Sequence, residues 1–212
     1  TEKLGGPENR IWTANRLWSG TSMVEAGIHQ TDLMRFWTND DIKWVQAAYT
    51  ERPLHLHSNE GDNPIAYHVI YGFKKGGIAN LIFLRPANVM YQERFDYILT
   101  THSILKFEDD LVAYENYNPT TKTNNRTILA TGPHTEPMGR RNTFEISKAF
   151  AESITTNNSK LRLTSFQNSI NSLSAVLAAN VSHTLNGERI LLEDFCNHPK
   201  FSKYRKKPTR NN

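Results

Sequence analysis

The longest regular apolar pattern in the chain lies near its C-terminal end and has a helical period. Across residues 161–181, apolar side chains recur close to every 3.6 positions, at Leu163, Phe166, Ile170, Leu173, Val176, Leu177 and Val181. That spacing predicts one long helix with a single apolar face. Because such a face must be covered by another layer of structure, the helix limits the chain to a layered fold.

Shorter apolar runs fill the middle of the chain and predict strands. Ile78–Leu84 is a compact apolar run that predicts a fully buried strand, and Phe95–Phe107 predicts one or two more. Leu111–Tyr114 and Thr127–Ala130 are two further short runs of strand-forming residues. We therefore expect the sheet of the fold to come from the middle of the sequence.

Helical patterns lie on both sides of these strands. Toward the N-terminus, Asp32 fits the cap of a first helix, and Asn39 or Asp40 fits the cap of a second helix over residues 44–49. After the strands, the apolar spacing from Phe144 to Ile154 predicts a further helix, and residues 190–195 predict a short closing one. The predicted fold class is α/β or α+β, with a central mixed sheet and helices at both ends.

Positive charge is concentrated at the end of the chain. The sequence has 212 residues and a net charge of +4, and without six positive residues between positions 200 and 210 the remainder would carry −2. This predicts one globular domain over residues 1–199 and a basic, disordered tail over residues 200–212. The tail could contact nucleic acid or an acidic partner through Lys203, Arg205, Lys206 and Lys207, or it could only aid solubility.

Composition excludes several classes of protein. Cys196 is the only cysteine, which excludes an intrachain disulfide and a cysteine-rich metal site. No apolar run approaches 18 residues, and the first residues form no hydrophobic stretch, so we expect a cytoplasmic protein without a transmembrane segment. The sequence also contains no P-loop, no G-x-G-x-x-G turn and no G-x-S-x-G elbow.

Two groups of residues are candidate ligands for a divalent metal. Asp96, Glu108 and Asp110 flank strand-like segments, and carboxylates gathered in this way could hold Mg²⁺ or Mn²⁺ and act in catalysis. The alternative site is His55 and His57, whose spacing would direct both rings to one side of a strand. Solvated loops and turns would give the same patterns.

Several short segments between residues 31 and 135 match one family in order. They are Arg35–Ile42 (RFWTNDDI), Val69–Ile78 (VIYGFKKGGI), Leu84–Pro86 (LRP), Val112–Asn116 (VAYEN) and Ala130–Pro133 (ATGP). In that order they resemble segments of DxD-type sugar-nucleotide glycosyltransferases of the mannosyltransferase and capsular-polysaccharide type. The resemblance implies transfer of a sugar from a nucleotide sugar, with help from a divalent metal.

The same resemblance implies a binding site. It would place Trp37, Asp40, Asp41, Gly76 and Gly77 beside the nucleotide sugar. The family's metal-binding D-x-D should follow Gly76-Gly77, but residues 80–83 read Asn-Leu-Ile-Phe and contain no acid. The carboxylates at 96, 108 and 110 would then have to replace the missing pair, or the protein would be a degenerate relative.

Two other functions fit the sequence. The basic tail and the acidic residues are compatible with a nucleic-acid-binding protein or a metal-dependent nuclease. A non-enzymatic assembly subunit with a basic tail would also show no catalytic motif. Salt-dependent binding to nucleic acid would favour the first of these, and a defined oligomer without any ligand response would favour the second.

Overall fold

The computed structural model describes residues 12–13, 15–53, 61–84, 96–107, 111–131, 138–161 and 165–205, and the side chains of residues 138–142 are not among them. Contacts divide the chain into two compact units. Unit 1 comprises residues 1–89 and 164–212, and unit 2 comprises residues 90–163. The prediction of one domain over residues 1–199 stays a prediction.

Unit 1 is a four-stranded antiparallel sheet with helices on one face. Its strands are β1 (Ile42–Thr50), β2 (Ala66–Phe73), β3 (Ile78–Leu84) and β8 (Ile190–Leu191), in the order β3-β2-β1-β8. Its helices are α1 (Arg16–Ser19), a π-helical turn (Met23–Gly27), α2 (Ile28–Thr38), α4 (Phe166–Thr184), α5 (Leu192–Asn197) and α6 (Ser202–Arg205). The turn at Met23–Gly27 runs directly into α2.

The core of unit 1 lies between the sheet and helices α2 and α4. Alternate residues of β1 and β2 point into it, including Val45, Val69 and Tyr71, each 0% exposed. From α4 the small residues Ala175, Val176, Ala178 and Ala179 pack against them. Helix α4 can approach the sheet closely because its buried face is built mainly from small side chains.

Side chains of α4 complete the outer edge of β1. Strand β8 pairs with β1 only at Trp44 and Val45. On either side of that pairing, Asn171 exchanges two hydrogen bonds with the backbone of Ile42 (2.9 and 3.0 Å), and Ser182 accepts from the Ala47 amide (2.9 Å). These bonds satisfy donors and acceptors that an open strand edge would leave exposed.

Unit 2 is a second four-stranded antiparallel sheet followed by a helix. The strands are β4 (Tyr97–Leu99), β5 (Ser103–Phe107), β6 (Leu111–Asn118) and β7 (Thr123–Ala130), paired in chain order. Helix α3 (Met138–Thr155) and a short 3₁₀ turn (Ser159–Leu161) follow. Val112 and Ala113 are its buried hydrophobic residues in the described part of the chain.

The predicted fold class, α/β or α+β with helices on both sides of a strand-rich middle, is confirmed. All described strand pairs are antiparallel and form two sheets, where a single mixed sheet was expected. Helix α4 and strands β4 to β7 form where the sequence predicted a helix and strands. The predicted apolar face of the helix is wrong, because Phe166, Ile170, Leu173 and Leu177 are exposed and, among the described residues of that face, only Val176 and Val181 are buried. In the described parts of the chain, no helix is long and apolar enough to cross a membrane.

Two local predictions are wrong. Residues 44–49 form part of β1 and not a helix, because Asn39 ends α2 in the left-handed conformation (φ 44°) and the next residues pair with β2. Ile78–Leu84 is a strand, as expected, but it lies at the sheet edge with only Leu81 buried.

The predicted tail begins inside folded structure. Residues 199–205 form a 3₁₀ turn and α6, and Phe201 is 4% exposed in the core of unit 1. The boundary predicted at residue 200 therefore matches no change in the described structure. Residues 206–212 lie outside the described residues.

Candidate functional site

Four of the five residues predicted to bind a nucleotide sugar lie close together: Asp40, Asp41, Gly76 and Gly77. The two aspartates hydrogen-bond to the turn that leads into the two glycines. The Asp40 carboxylate accepts from the amides of Asp41 (2.9 Å) and Lys75 (2.8 Å), and the Asp41 carbonyl accepts from the Lys74 amide (2.9 Å). Lys74 and Lys75 belong to the β2–β3 turn, which continues into Gly76 and Gly77. The two aspartates therefore tie the start of β1 to that turn.

Arg35 extends this arrangement to α4. Its guanidinium lies 2.7 Å from Asp41 and donates to the Asn168 carbonyl and the Ser172 hydroxyl, both at 2.8 Å. Hydrogen bonds from Arg35 and then from Lys74 (2.9 Å) hold the pKa of Asp41 below its usual value. The charged groups of Arg35, Asp41 and Lys74 pair with each other and link α2, the β2–β3 turn and α4. We call this arrangement the brace.

A shallow cavity of about 500 Å³ adjoins this brace. Its lining includes Arg35, Asp41 and Lys74, together with Lys43, Glu193 and Cys196. The first three are the paired groups of the brace, and Cys196 donates weakly to Ser174 (3.6 Å). Lys43, Gln167 and Glu193 also line the cavity and are not part of the brace.

The predicted metal ligands fall largely outside the described residues. Asp96 is described, and its carbonyl accepts from the Phe107 amide (3.1 Å), which places it opposite the end of β5. Glu108, Asp110, His55 and His57 lie outside the described residues. Within the described ranges, no group of three or more metal-ligating side chains is gathered.

Arg205 of the basic tail has a structural role. Its guanidinium donates to the carbonyls of Phe195 (2.6 Å) and His198 (3.1 Å) at the C-terminal end of α5. Lys203 lies over the ring of Tyr204 at 4.8 Å. Lys206 and Lys207 are outside the described residues.

The least ordinary backbone in unit 1 lies just before the π-helical turn. Thr21 is a β-branched residue with φ 110°, and it is 5% exposed. Such a conformation costs about 1–3 kcal/mol and persists only where its surroundings enforce it. Both strained residues and π-helical turns cluster at functional sites, and here the two are adjacent.

Close packing supports the π-helical turn. Met23 is 0% exposed, and a Cβ added at Gly27 would lie 2.5 Å from its terminal carbon. The Thr21 carbonyl accepts from the amides of Val24 and Glu25, both at 3.1 Å. The strained residue therefore supplies the first acceptor of the helical segment that follows.

Two titratable residues stand on this segment. Glu25 is half-buried within the turn, and His29 is exposed in the first turn of α2. They lie four residues apart, so they occupy neighbouring positions on one side of the helix. The two ring nitrogens of an exposed imidazole can donate and accept hydrogen bonds.

Helix α1, which precedes the strained residue, is anchored by charge. Arg16 pairs with Glu51 at the end of β1, and Glu51 also lies 2.8 Å from Nε2 of His183. Partial burial raises the pKa of Glu51, but the hydrogen bonds from Arg16 and His183 outweigh it and lower the pKa overall. Nδ1 of His183 accepts from the Tyr49 amide (3.3 Å), so Nε2 carries the proton toward Glu51.

Sequence reasoning missed this segment. The first helix was expected to begin at a cap at Asp32, which left Glu25 and His29 outside any predicted element. The available signal was the four-residue spacing of Glu25 and His29 within the MVEAGIHQTD segment. Nothing in the sequence indicates the positive φ at Thr21.

The chain resembles solved NAD-binding proteins and oxidoreductases over most of its length. They include a candidate oxidoreductase from Thermotoga maritima, 18% identical with a TM-score of 0.62, for which the match covers 90% of this chain and 52% of that one. An NAD-binding protein from Listeria innocua is 16% identical with a TM-score of 0.63, and the match covers 89% of this chain and 52% of that one. A candidate myo-inositol dehydrogenase from Sinorhizobium meliloti is 19% identical with a TM-score of 0.54, and the match covers 88% of this chain and 53% of that one.

The chain spans about half the length of these proteins. At such low identity the likeness shows a shared fold. No protein-family model matches the sequence, and no curated protein is significantly similar to it.

These matches overturn the expected resemblance to glycosyltransferases. One of the matching segments, residues 69–78, spans the turn of the antiparallel hairpin of β2 and β3. The predictions of a nucleotide-sugar substrate and a divalent metal, which depended on that resemblance, are also wrong. The alternative prediction of a nucleic-acid-binding protein or nuclease is wrong as well. Chance similarity between short segments explains the error, since each matching piece has ten residues or fewer.

The described residues do not fit the part of an oxidoreductase that holds a dinucleotide. Dinucleotide-binding folds use parallel strands and a G-x-G-x-x-G turn that leads into a helix. Every described strand pair here is antiparallel, and the sequence contains no such turn.

Proposed function

We propose that this chain is the substrate-binding α/β part of an oxidoreductase that acts on polyhydroxylated small molecules. The likeness to solved oxidoreductases over 88–90% of the chain supports the general class. One of these proteins is described as a candidate myo-inositol dehydrogenase, which supports a polyol as the kind of substrate. The antiparallel sheets support a division of labour in which other residues hold the dinucleotide.

The observation that carries this proposal is the strained Thr21 followed by the π-helical turn that displays Glu25 and His29. Oxidation of a hydroxyl group to a carbonyl requires the hydroxyl proton to leave and the hydrogen on the same carbon to leave as hydride, which the dinucleotide held by other residues would accept. A neutral imidazole within hydrogen-bond reach can accept that proton. His29 is exposed on a segment whose start is fixed by buried contacts, which suits it to this role.

The proposal is tested by binding of myo-inositol to the full chain, followed by NMR of the histidine side chains. We expect saturable shifts of the His29 imidazole resonances, and a His29→Gln variant that binds about tenfold more weakly, a change of about 1.4 kcal/mol. His68→Gln is the matched control, because His68 is an exposed histidine on β2 and should leave binding unchanged. Shifts at His68 with none at His29 would refute the assignment.

The division of labour has its own test. NAD⁺ alone, titrated into the chain by calorimetry, should show no saturable binding, because the described residues lack a cradle for its pyrophosphate. Tight binding of NAD⁺ would show that this chain holds the dinucleotide itself, and the proposed division would be wrong.

A further inference from the structure

Asn180 contacts the strained segment with every part of its amide. Its Oδ1 accepts from the Thr21 hydroxyl (2.9 Å) and from the Tyr49 hydroxyl (3.0 Å). Its Nδ2 donates to the Gly20 carbonyl (2.7 Å). One side chain of α4 therefore holds both residues of the Gly20–Thr21 step.

Helix α4, which carries Asn180, is itself held in place. Helix α4 is bound to β1 through Asn171 at one end and Ser182 at the other. Tyr49, the third partner of the Asn180 amide, packs at 4.6 Å between ring centroids against Tyr67. Burial raises the pKa of Tyr49 well above its ordinary value, so its hydroxyl stays a donor to Asn180.

The contact between Asn180 and Thr21 also affects the π-helical turn. The same Thr21 that Asn180 binds through its side chain offers its carbonyl to Val24 and Glu25. Rotation of the Thr21 backbone toward an ordinary negative φ would carry this carbonyl and both amides along together, so it would swing the whole segment after Thr21 relative to Gly20 and α1. The direction in which the segment bearing Glu25 and His29 leaves Gly20 thus depends on the conformation that Asn180 enforces.

We infer that Asn180 is a positioning residue that locks Thr21 in its left-handed conformation and thereby sets the direction of the π-helical turn. Its contribution to substrate binding rests on the proposed function of His29. The contribution of Asn180 to the direction of the turn does not rest on that proposal. The two contributions can be measured separately.

The test is a double-mutant cycle between Asn180→Ala and Thr21→Gly. Glycine adopts positive φ without strain, so it removes the need for the lock, but it also removes the Thr21 hydroxyl that donates to Asn180. Thr21→Val is the matched background, because it lacks the same hydroxyl and keeps the strain, and the effect of Asn180→Ala should persist in it. Because the start of the segment loses its attachment to α4, we expect Asn180→Ala to speed hydrogen exchange of the Val24 and Glu25 amides about tenfold more than that of the Val69 amide in β2. In the Thr21→Gly background the same substitution should change the exchange of these two amides by less than about twofold. Tyr49→Phe is the matched control, because it removes only one of the three bonds.

Each outcome bears on the inference. Equal acceleration at residues 24, 25 and 69, or an undiminished effect in the Thr21→Gly background, would show that Asn180 only stabilises the core and would overturn it. Myo-inositol affinity separates the two claims. If the exchange result holds but no polyol binds, the lock stands and the proposed function fails. If polyol binding requires His29 and Asn180→Ala leaves exchange unchanged, the function stands and the lock fails.

Discussion

The two sheets have the same number of strands and the same antiparallel pairing, yet they bury very different amounts of side chain. In unit 1, one face of the sheet is covered by α2 and α4, and residues such as Val45, Val69 and Tyr71 are fully buried. In the described part of unit 2, every residue of β7 is exposed. Backbone pairing alone therefore gives a sheet, whereas a core requires a helix whose small residues let it approach that sheet.

The largest expected difference comes from the same substitution made in each sheet. Ile42 in β1 is 0% exposed, and Ile128 in β7 is 49% exposed. Ile42→Ala should lower the free energy of unfolding by about 2–5 kcal/mol, because it leaves a cavity in packed surroundings. Ile128→Ala should cost less than about 1 kcal/mol. Urea unfolding of both variants measures this, and equal losses would show that the two sheets are equally covered in solution.

An intermediate effect is expected in unit 1 where Trp44 of β1 packs against Gly72 of β2. The Trp44 ring lies against Gly72, where an added Cβ would come within 1.9 Å of a ring carbon. Gly72→Ala should therefore destabilise the protein by about 1–3 kcal/mol and shift the fluorescence of Trp44. Gly77→Ala is the matched control, since its Cβ would meet Phe73 at an ordinary 3.6 Å. An unchanged emission spectrum with Gly72→Ala would contradict this packing.

In the double variant Trp44→Ala with Gly72→Ala, the cost of the added methyl group should largely disappear, because the ring that it strikes is gone. The cycle isolates the clash from any intrinsic preference of the strand for alanine. An undiminished cost would assign the effect to the backbone instead.

The smallest expected effect concerns the brace at the end of unit 1's sheet. The pKa of Asp41 is lower in the folded protein than in the unfolded chain. Its stabilisation is therefore present above the unfolded value, about 3.9, and is lost as pH falls through the folded value. Because the side chain is 38% exposed, the contribution should be below about 1 kcal/mol.

Asp41→Asn should accordingly be slightly less stable than the natural sequence at pH 7 and equally stable at pH 2. Glu145→Gln in α3 of unit 2 is the control, since Glu145 is exposed and far along the chain from the brace. Unfolding curves between these pH values measure the difference. A gap that persists at pH 2 would show that the ion pairs are not its source.

The sequence predicted elements best where a long pattern repeats. Helix α4 was predictable because six of its apolar residues, from Phe166 to Val181, keep one helical period. Strand β1 was mistaken for a helix because its nine residues are too few for their alternation to outweigh a cap-like Asn39-Asp40, and pairing with β2 decides its conformation. The exposure of β3 was also unpredictable, since the strand order that makes it an edge depends on distant residues.

The candidate site was far less predictable than the fold. The aspartates at 40 and 41 were predicted as ligands for a substrate, whereas the structure shows them hydrogen-bonded to the β2–β3 turn as part of the brace. The features that single out His29 are a positive φ at Thr21 and contacts to Asn180, which lies 159 residues further along the chain. Neither a backbone angle nor so distant a contact leaves a local pattern in the sequence.

The edge of β1 has a consequence for synthesis on the ribosome. Strands β1 and β2 emerge early, but the residues that complete the outer edge of β1, from Asn171 to Leu191, are made more than 120 positions later. At roughly 5–20 residues per second, the nascent sheet waits on the order of ten seconds with that edge unpaired. Unit 2 is a continuous insertion and can finish pairing within that interval. The half-made chain is thus the form in which β1 is most open to chaperones or to a neighbouring nascent chain.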